Sequence, residues 1–450
     1  MEPEEEAREI IDDLLTKAGW IIQDYKELDL SKSEGDKNGI AVREYPLLQK
    51  ATDYLLILDR VPVGVIEAKR LGYPLSGVAD QSMDYIKLIS KEFPDAENDP
   101  VFHYESTGGE TFFRDLRDPK PRSRKVFAFH KPETLRIWFE QEDTLRARLR
   151  DLPKLDTEGL RKCQVVALTG LDKSFAESKP KSLIQMASGS GKTFTAVTFC
   201  YRLAKFAKAK RILFLADRNN LTKQTRDEFD KYITPDDGRK FTEIYNAKRL
   251  ETNAIDPSLK VCITTIQRVY SMLKGEKEMD EQLEEKSQME NDEDEKEVPI
   301  TYNPKLPIEE FDFVVIDECH RSIYNKWRQV LEYFDTIKIG LTATPTKPTY
   351  GYFDQNLVSE YSHQDAVFDK VNVQEQIYRI RTEVGEEGGA IQSHFVYEHR
   401  DKTSRKSEYK KPDTKIGDYP PEQLDEDIVN PNQIRTIIRE FKNKLPEIFP

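Results

Sequence analysis

Two sets of residues in this 450-residue chain have the types and spacing to handle phosphate. The first is Ala187-Ser188-Gly189-Ser190-Gly191-Lys192-Thr193, which follows the apolar run KSLIQM and precedes FTAVTFCYRLAKFA. A strand, a Gly/Ser turn and a helix in that order form a phosphate-binding loop, because the glycines let the backbone wrap until its N–H groups face phosphate oxygens. Lys192 brings positive charge to the β/γ-phosphates, and the Thr193 hydroxyl can ligate Mg²⁺. Further on, the run FVVI leads into Asp317-Glu318, two acids at the carboxyl end of a strand. Ligands gather at such ends in open α/β sheets, so both acids should face the loop. Asp317 can hold Mg²⁺ against the phosphate charge, and Glu318 can orient and deprotonate an attacking water.

The second set is Asp53, Glu67 and Lys69, carried on the apolar runs TDYLLIL and VGVIEAK. A turn at residues 59–62 would pair positions whose numbers sum to about 121, which puts Asp53 nearly opposite Glu67. Glu67 and Lys69 share a face because strand side chains alternate. Two converging acids can hold Mg²⁺, and a lysine beside them can position or activate a hydrolytic water. A charge on an otherwise apolar strand is costly without a purpose. Gln81 and Tyr85, spaced i, i+4, share one helix face and would position DNA or the catalytic face rather than metal.

Positioning these groups takes two patterns, both of the α/β class. Residues 40–130 give short β-rich runs, the third being KVFAF at 125–129, with a helix expected over 77–93. Residues 181–343 alternate helices with the apolar runs SLIQMA, RILFLAD, VCITT, FVVIDE and IKIGLTA. That alternation predicts a parallel sheet with right-handed crossovers. The expected division is a first domain over 1–150, a second over 151–365 and a polar connecting segment over 366–450. An acidic low-complexity insertion at 276–298 interrupts the second, and 399–427 reads as an exposed connection.

Composition narrows the class. The net charge of −13 would argue against a nucleic-acid partner, but residues 276–297 hold 12 acids and 3 lysines and residues 2–13 hold 7 acids and one arginine. The rest of the chain is about +2, so DNA binding stays open. No apolar run reaches the roughly 18 residues of a membrane-spanning helix, and the acidic start is unlike a secretory signal. Cys163, Cys200, Cys262 and Cys319 form no CxxC pair, which excludes a zinc knuckle or disulfide framework and fits a cytoplasmic protein. His103, His130, His363, His394 and His399 lack ligand spacing and read as packing or surface residues; Cys319 reads as packing.

Residues 160–350 resemble the first motor domain of superfamily 2 helicases and translocases. The matching order is Gln164 in RKCQVVAL, ASGSGKT, FLADRNNLTKQ, TTIQ, DECH and TATPT. The loop here has Met186 where a longer form of the motif has glycine, and the A-x-G-x-G-K-T version is common among helicases. The resemblance implies that Gln164 reads the adenine of ATP and that Arg218 and Thr265 lie along the nucleic-acid backbone. It also implies that Thr342-Ala343-Thr344 couples hydrolysis to strand movement and that His320 contacts neighbouring motor elements. Asp53 and Glu67-Ala68-Lys69 match the triplet of PD-(D/E)xK nucleases. Together with Gln81, Tyr85, FHKPETL and the motor, they resemble the restriction subunit of type I restriction-modification enzymes over roughly residues 40–365.

That family implies an endonuclease-like α/β domain followed by a RecA-like parallel-sheet domain. It also implies ATP and Mg²⁺ as cofactors, double-stranded DNA as substrate, and modification (methyltransferase) and specificity subunits as partners, without a membrane. The family continues into a second motor domain that completes the ATP site, so the 450 residues are expected to bind ATP and turn it over poorly alone. Two other readings remain: a truncated subunit that binds ATP and DNA without turnover, and a stand-alone repair or RNA helicase with an inert first domain.

Overall fold

The near-continuous apolar runs become buried strands, as strands covered on both faces must. The computed structural model describes residues 3–47, 51–75, 89, 93, 99–279, 299–374, 379–382, 386, 389–391, 397–400, 407–410, 416–419 and 430–448. They fall into two units, Met1–Val373 and Gln374–Pro450.

The first unit holds two seven-stranded sheets. In one, β1 (Ile21–Asp24), β2 (Ile40–Pro46), β3 (Ala51–Leu58), β4 (Val61–Ala68), β5 (Phe102–Ser106), β6 (Thr111–Asp115) and β7 (Arg124–Val126) lie side by side in chain order. The β1–β2 and β4–β5 pairs are parallel and the others antiparallel. The N-terminal helix Pro3–Ala18 contributes Ile11 and Leu15 to this sheet's core, beside Tyr54, Ile66 and Phe102. Gly64 is required where β4 meets β5, since a Cβ there would strike the Phe102 carbonyl oxygen.

The other sheet contains β8 (Lys181–Met186), β9 (Ile212–Ala216), β10 (Ala247–Arg249), β11 (Val261–Thr265), β12 (Phe313–Ile316), β13 (Ile337–Thr342) and β14 (Leu357–Tyr361). Their order is β10-β11-β9-β12-β13-β8-β14, and every pairing is parallel. The chain is thus α/β, a mixed sheet followed by a parallel one, as the motif order predicts.

Several details differ from the sequence expectations. The hairpin turn is the two residues Asp59–Arg60, both with positive φ (46° and 65°), and β4 already begins at Val61. Such a turn matches the twist of the flanking strands. A register shift between Leu56 and Ile57 then restores the Tyr54↔Ile66 pairing. The run KVFAF leaves the sheet after Val126, because Phe127 turns to pack on Tyr333 with ring centroids 4.8 Å apart. The strands β1, β2, β5, β6, β10 and β14 lie outside the apolar runs singled out above.

The two sheets meet through buried charge. Arg124 of β7 pairs with Asp335 at 2.7 and 2.9 Å, and His130 Nε2 approaches the same carboxylate at 2.9 Å. Burial alone would raise the Asp335 pKa, but Arg124 and His130 outweigh it and hold the carboxyl well below its usual range. Alongside, the Lys131 amide donates to Glu309 at 2.9 Å.

In the second unit, Gly389–Ile391 pairs with Ile416–Tyr419, Tyr397–Arg400 pairs with Ser407–Lys410, and Pro431–Ile448 is a helix. Strands therefore occur within 399–427, which reads as a bare connection by polarity. Segments such as SEYK and IGDY carry tyrosine and isoleucine, residue types that favour strands. The acidic residues 280–298, His394 and all of 77–93 except Ile89 and Phe93 lie outside the described residues.

Candidate functional sites

The phosphate loop joins β8 to the helix Lys192–Lys205. Gly189 and Gly191 both take left-handed backbone conformations, with φ of 76° and 93°. Internally the loop is closed by Ser190, whose hydroxyl donates to the Ala187 carbonyl at 2.6 Å. Three outside side chains brace it. Gln164, in the first turn of the helix Lys162–Ala176, places Nε2 3.5 Å from the Gly191 carbonyl, and a Cβ at Gly191 would meet that nitrogen at 2.5 Å. Arg161 donates to the Gly189 carbonyl at 3.1 Å, and Asn372 donates to the Ser188 carbonyl at 2.9 Å. Arg161 opens the RKCQVVAL run, though the resemblance assigns it no role, and Asn372 belongs to no motif singled out in the sequence.

At the neighbouring strand end, Lys192 Nζ bonds Glu318 Oε1 at 2.6 Å. Glu318 is held at φ 46° and ψ 45°, a conformation that a glutamate adopts only where its surroundings enforce it. Asp317 beside it is pushed up to about 6, first by burial, with Lys192 opposing and Glu318 adding to the rise. Thr193 follows Lys192 in the first turn of the helix, which sets a hydroxyl beside the lysine that bonds Glu318, next to the Asp317 carboxylate. The hydroxyl and the carboxylate are hard oxygen donors of the kind Mg²⁺ takes together with phosphate.

A polar chain runs on from this cleft. His320 Nδ1 lies 2.9 Å from the Thr342 hydroxyl, which accepts the Thr344 amide at 3.1 Å. Arg321 bonds Asp217 at 2.8 Å, and Arg218, partly exposed, reaches the same carboxylate at 3.4 Å. Ala343 stands between the two threonines at the end of β13. Thr265 ends β11 fully buried and caps the helix Ile266–Leu273 by accepting the Arg268 amide at 3.3 Å. Its hydroxyl thus has a structural task. Burial pushes the Cys319 thiol far up, in keeping with a packing residue.

The hairpin brings its triplet together as well. Glu67 is 4% exposed and takes Lys69 Nζ on Oε1 at 2.5 Å. Asp53, one step beyond the Tyr54↔Ile66 pair, accepts the Ala68 amide on Oδ2 at 2.9 Å. Its Oδ1 accepts Arg8 of the N-terminal helix at 2.7 Å, and Arg8 also reaches Glu44 at 2.8 Å. Sequence reasoning missed Arg8, whose partner lies 45 residues away. Glu67 Oε2 is buried without a hydrogen-bond partner, an acceptor suited to a cation. Among the described residues no three His, Cys, Asp or Glu are already spaced to hold a metal ion. Gln81 and Tyr85 lie outside the described residues.

On the adjacent strand, His103 and Glu105 are also buried. Burial, with help from the charge of Arg114, pushes His103 down to about 3, while burial raises Glu105.

Known proteins bear on these geometries. Residues 157–347 match the family described as Type III restriction enzyme, res subunit. Over 433 aligned residues the chain is 28% identical to the type I restriction enzyme EcoKI endonuclease subunit of Escherichia coli strain K12, covering 81% of this chain and 34% of that one. The EcoAI endonuclease subunit of Escherichia coli is 27% identical over 348 residues, 73% of this chain and 37% of its own. The chain spans about a third of the length of these curated relatives. Among solved structures, a fragment of an HsdR subunit of a type I restriction enzyme from Vibrio vulnificus is 21% identical over 82% of this chain and 60% of that one, with a TM-score of 0.32. The helicase domain of Hef from Pyrococcus furiosus is 22% identical over 42% of this chain and 35% of that one, with a TM-score of 0.27. No helix among the described residues is long and apolar enough to cross a membrane. Residues 157–347 are therefore similar to the type III restriction enzyme res-subunit family, and the chain is similar over most of its length to type I restriction enzyme endonuclease subunits.

Proposed function

We propose that this chain supplies ATP-dependent translocation and endonucleolytic cleavage of double-stranded DNA, working with modification and specificity subunits in the cytoplasm. Residues 1–150 are the cleaving domain, 151–365 the motor, and 366–450 the connection beyond it. The observation that carries the reading is the presence, in one unit, of a formed phosphate loop and a hairpin whose Asp53, Glu67 and Lys69 converge. Thr193 and Asp317 at the motor, and Asp53 and Glu67 at the hairpin, would hold Mg²⁺, which neutralises charge building on a phosphate under attack.

Every other step falls to the chain. Gln164 borders the loop where a base attached to the bound phosphates would lie. Ser188, Gly189 and Gly191 offer backbone N–H groups to the phosphate oxygens, the Ala187 and Ser190 amides being bonded to the Tyr361 and Ala187 carbonyls. Arrival of the β/γ-phosphates gives Lys192 a stronger partner than Glu318. Once released, Glu318 is free to orient water and take its proton. His320, Thr342 and Thr344 then carry the change toward Arg218 on the DNA side, while Thr265, buried and capping its helix, supports the strand end. At the hairpin, Lys69 holds Glu67 and stands where it can position the hydrolytic water.

The test is Glu318→Gln in the complex assembled with modification and specificity subunits. ATP turnover should fall about 10³-fold, within the usual span for loss of a general base. Binding of a fluorescent ATP analogue should persist. Unchanged turnover would remove Glu318 from the chemistry and with it the motor reading.

A further inference from the structure

The face of the hairpin that carries Asp53 and Glu67 continues onto β5, where a third carboxylate stands. The parallel β4–β5 ladder sets Glu105 directly beside Glu67, with His103 beside Val65. Side chains in register on neighbouring strands project to the same face from backbones about 4.8 Å apart. Glu67 and Glu105 are 4% and 2% exposed. Of their four carboxylate oxygens, Glu67 Oε2 and both oxygens of Glu105 accept no hydrogen bond; the fourth takes Lys69.

Two acids buried side by side with three orphaned oxygens are unfavourable unless something positive lies between them. The neighbouring cations do not fill that place. Lys69 is bonded to Glu67, Arg114 donates to Ser123 at 2.8 Å, and the His103 ring stands 3.7 Å from Glu105. Burial outweighs the help that Arg114 and Lys69 give Glu105. Clustered, orphaned carboxylate oxygens are the donor set that a hard divalent cation prefers.

We propose that Glu105 is a third carboxylate of the hairpin centre, binding a divalent cation between its own oxygens and Glu67 Oε2, beside Asp53. This rests on the nuclease reading of the hairpin. Asp53 has both oxygens engaged, by Arg8 and by the Ala68 amide, so Glu67 and Glu105 form the first seat for the ion.

The probe is Mn²⁺, titrated into the 450-residue chain by electron paramagnetic resonance without nucleotide. Every sample carries Asp317→Asn to remove the motor's own cation carboxylate. Glu105→Gln keeps the shape of the side chain and should weaken Mn²⁺ binding about tenfold or more, as expected for a group acting on the ion. Glu67→Gln should do the same, and a melting curve for each variant checks that the sheet is intact. Weakening by Glu67→Gln alone would overturn the role of Glu105 and leave the nuclease reading standing. If neither substitution changes the affinity, both fail. A Glu105→Gln chain that melts higher and binds Mn²⁺ as before would show Glu105 to be an ordinary buried acid.

Discussion

The motor cleft and the hairpin face both gather acids and a lysine, yet they hold them ready in opposite ways. In the motor, hydrogen bonds engage most of the groups. Lys192 is on Glu318, His320 on Thr342, Gln164 on the Gly191 carbonyl and Asn372 on the Ser188 carbonyl. On the hairpin, Asp53 and one oxygen of Glu67 are bonded, but Glu67 Oε2 and both oxygens of Glu105 are buried without donors. A cleft at the ends of parallel strands opens to solvent and can accept a large, exchanging nucleotide. A buried face with orphaned acceptors suits a small ion. The contrast ties each chemistry to its own setting: open loop and strand end for nucleotide, buried sheet face for metal.

If the two regions are built separately, the buried pairs joining them should matter more to stability than to either site. Asp335→Ala strands Arg124 and His130 without their carboxylate and should cost about 3–5 kcal/mol, the usual penalty for breaking a buried ion pair from one side. Urea unfolding measures this, and nucleotide binding by the folded fraction should be unchanged. The contribution has a pH signature. Because the folded pKa of Asp335 is depressed, its stabilisation is complete above the ordinary value of 3.8 and drains away as pH falls below it. The gap between variant and wild type should close in that acid window. Loss of nucleotide binding in the folded variant would mean that the junction shapes the motor cleft, and the comparison above would break.

The smallest expected effect concerns the acidic stretch 276–298. It interrupts the motor between TTIQ and DECH with few apolar anchors, and loop length adds little entropy. Replacing it with a short Gly/Ser link should leave the melting temperature almost unchanged. A large drop would show that the segment packs on the motor.

The same contrast explains what could be read from the sequence. The motor's chemistry is local: ASGSGKT and Asp317-Glu318 sit at the ends of apolar runs, so motif and strand announce each other. The hairpin was legible because Asp59–Arg60 makes a short turn and register can be counted across it. Glu105 was not, because its neighbour Glu67 lies 38 residues back along a parallel crossover that no local rule counts. Strands β5 and β6 were hidden for a related reason. FHYES and TFFRD bury His103, Glu105, Arg114 and Asp115, which disguise them as polar segments. Asn372 braces the phosphate loop from 184 residues away and has no signature beyond its place in the fold.

The central claim is that one chain carries two separable centres, and Lys69→Ala tests it most directly. The variant, assembled with modification and specificity subunits, should be mixed with unmodified plasmid, Mg²⁺ and ATP, and cleavage and phosphate release followed in the same sample. We predict that cleavage is abolished while ATP hydrolysis stays near wild type, because Lys69 follows β4 of one sheet and Lys192 opens the helix after β8 of the other. Retained cleavage, or a parallel loss of ATP hydrolysis, would contradict it.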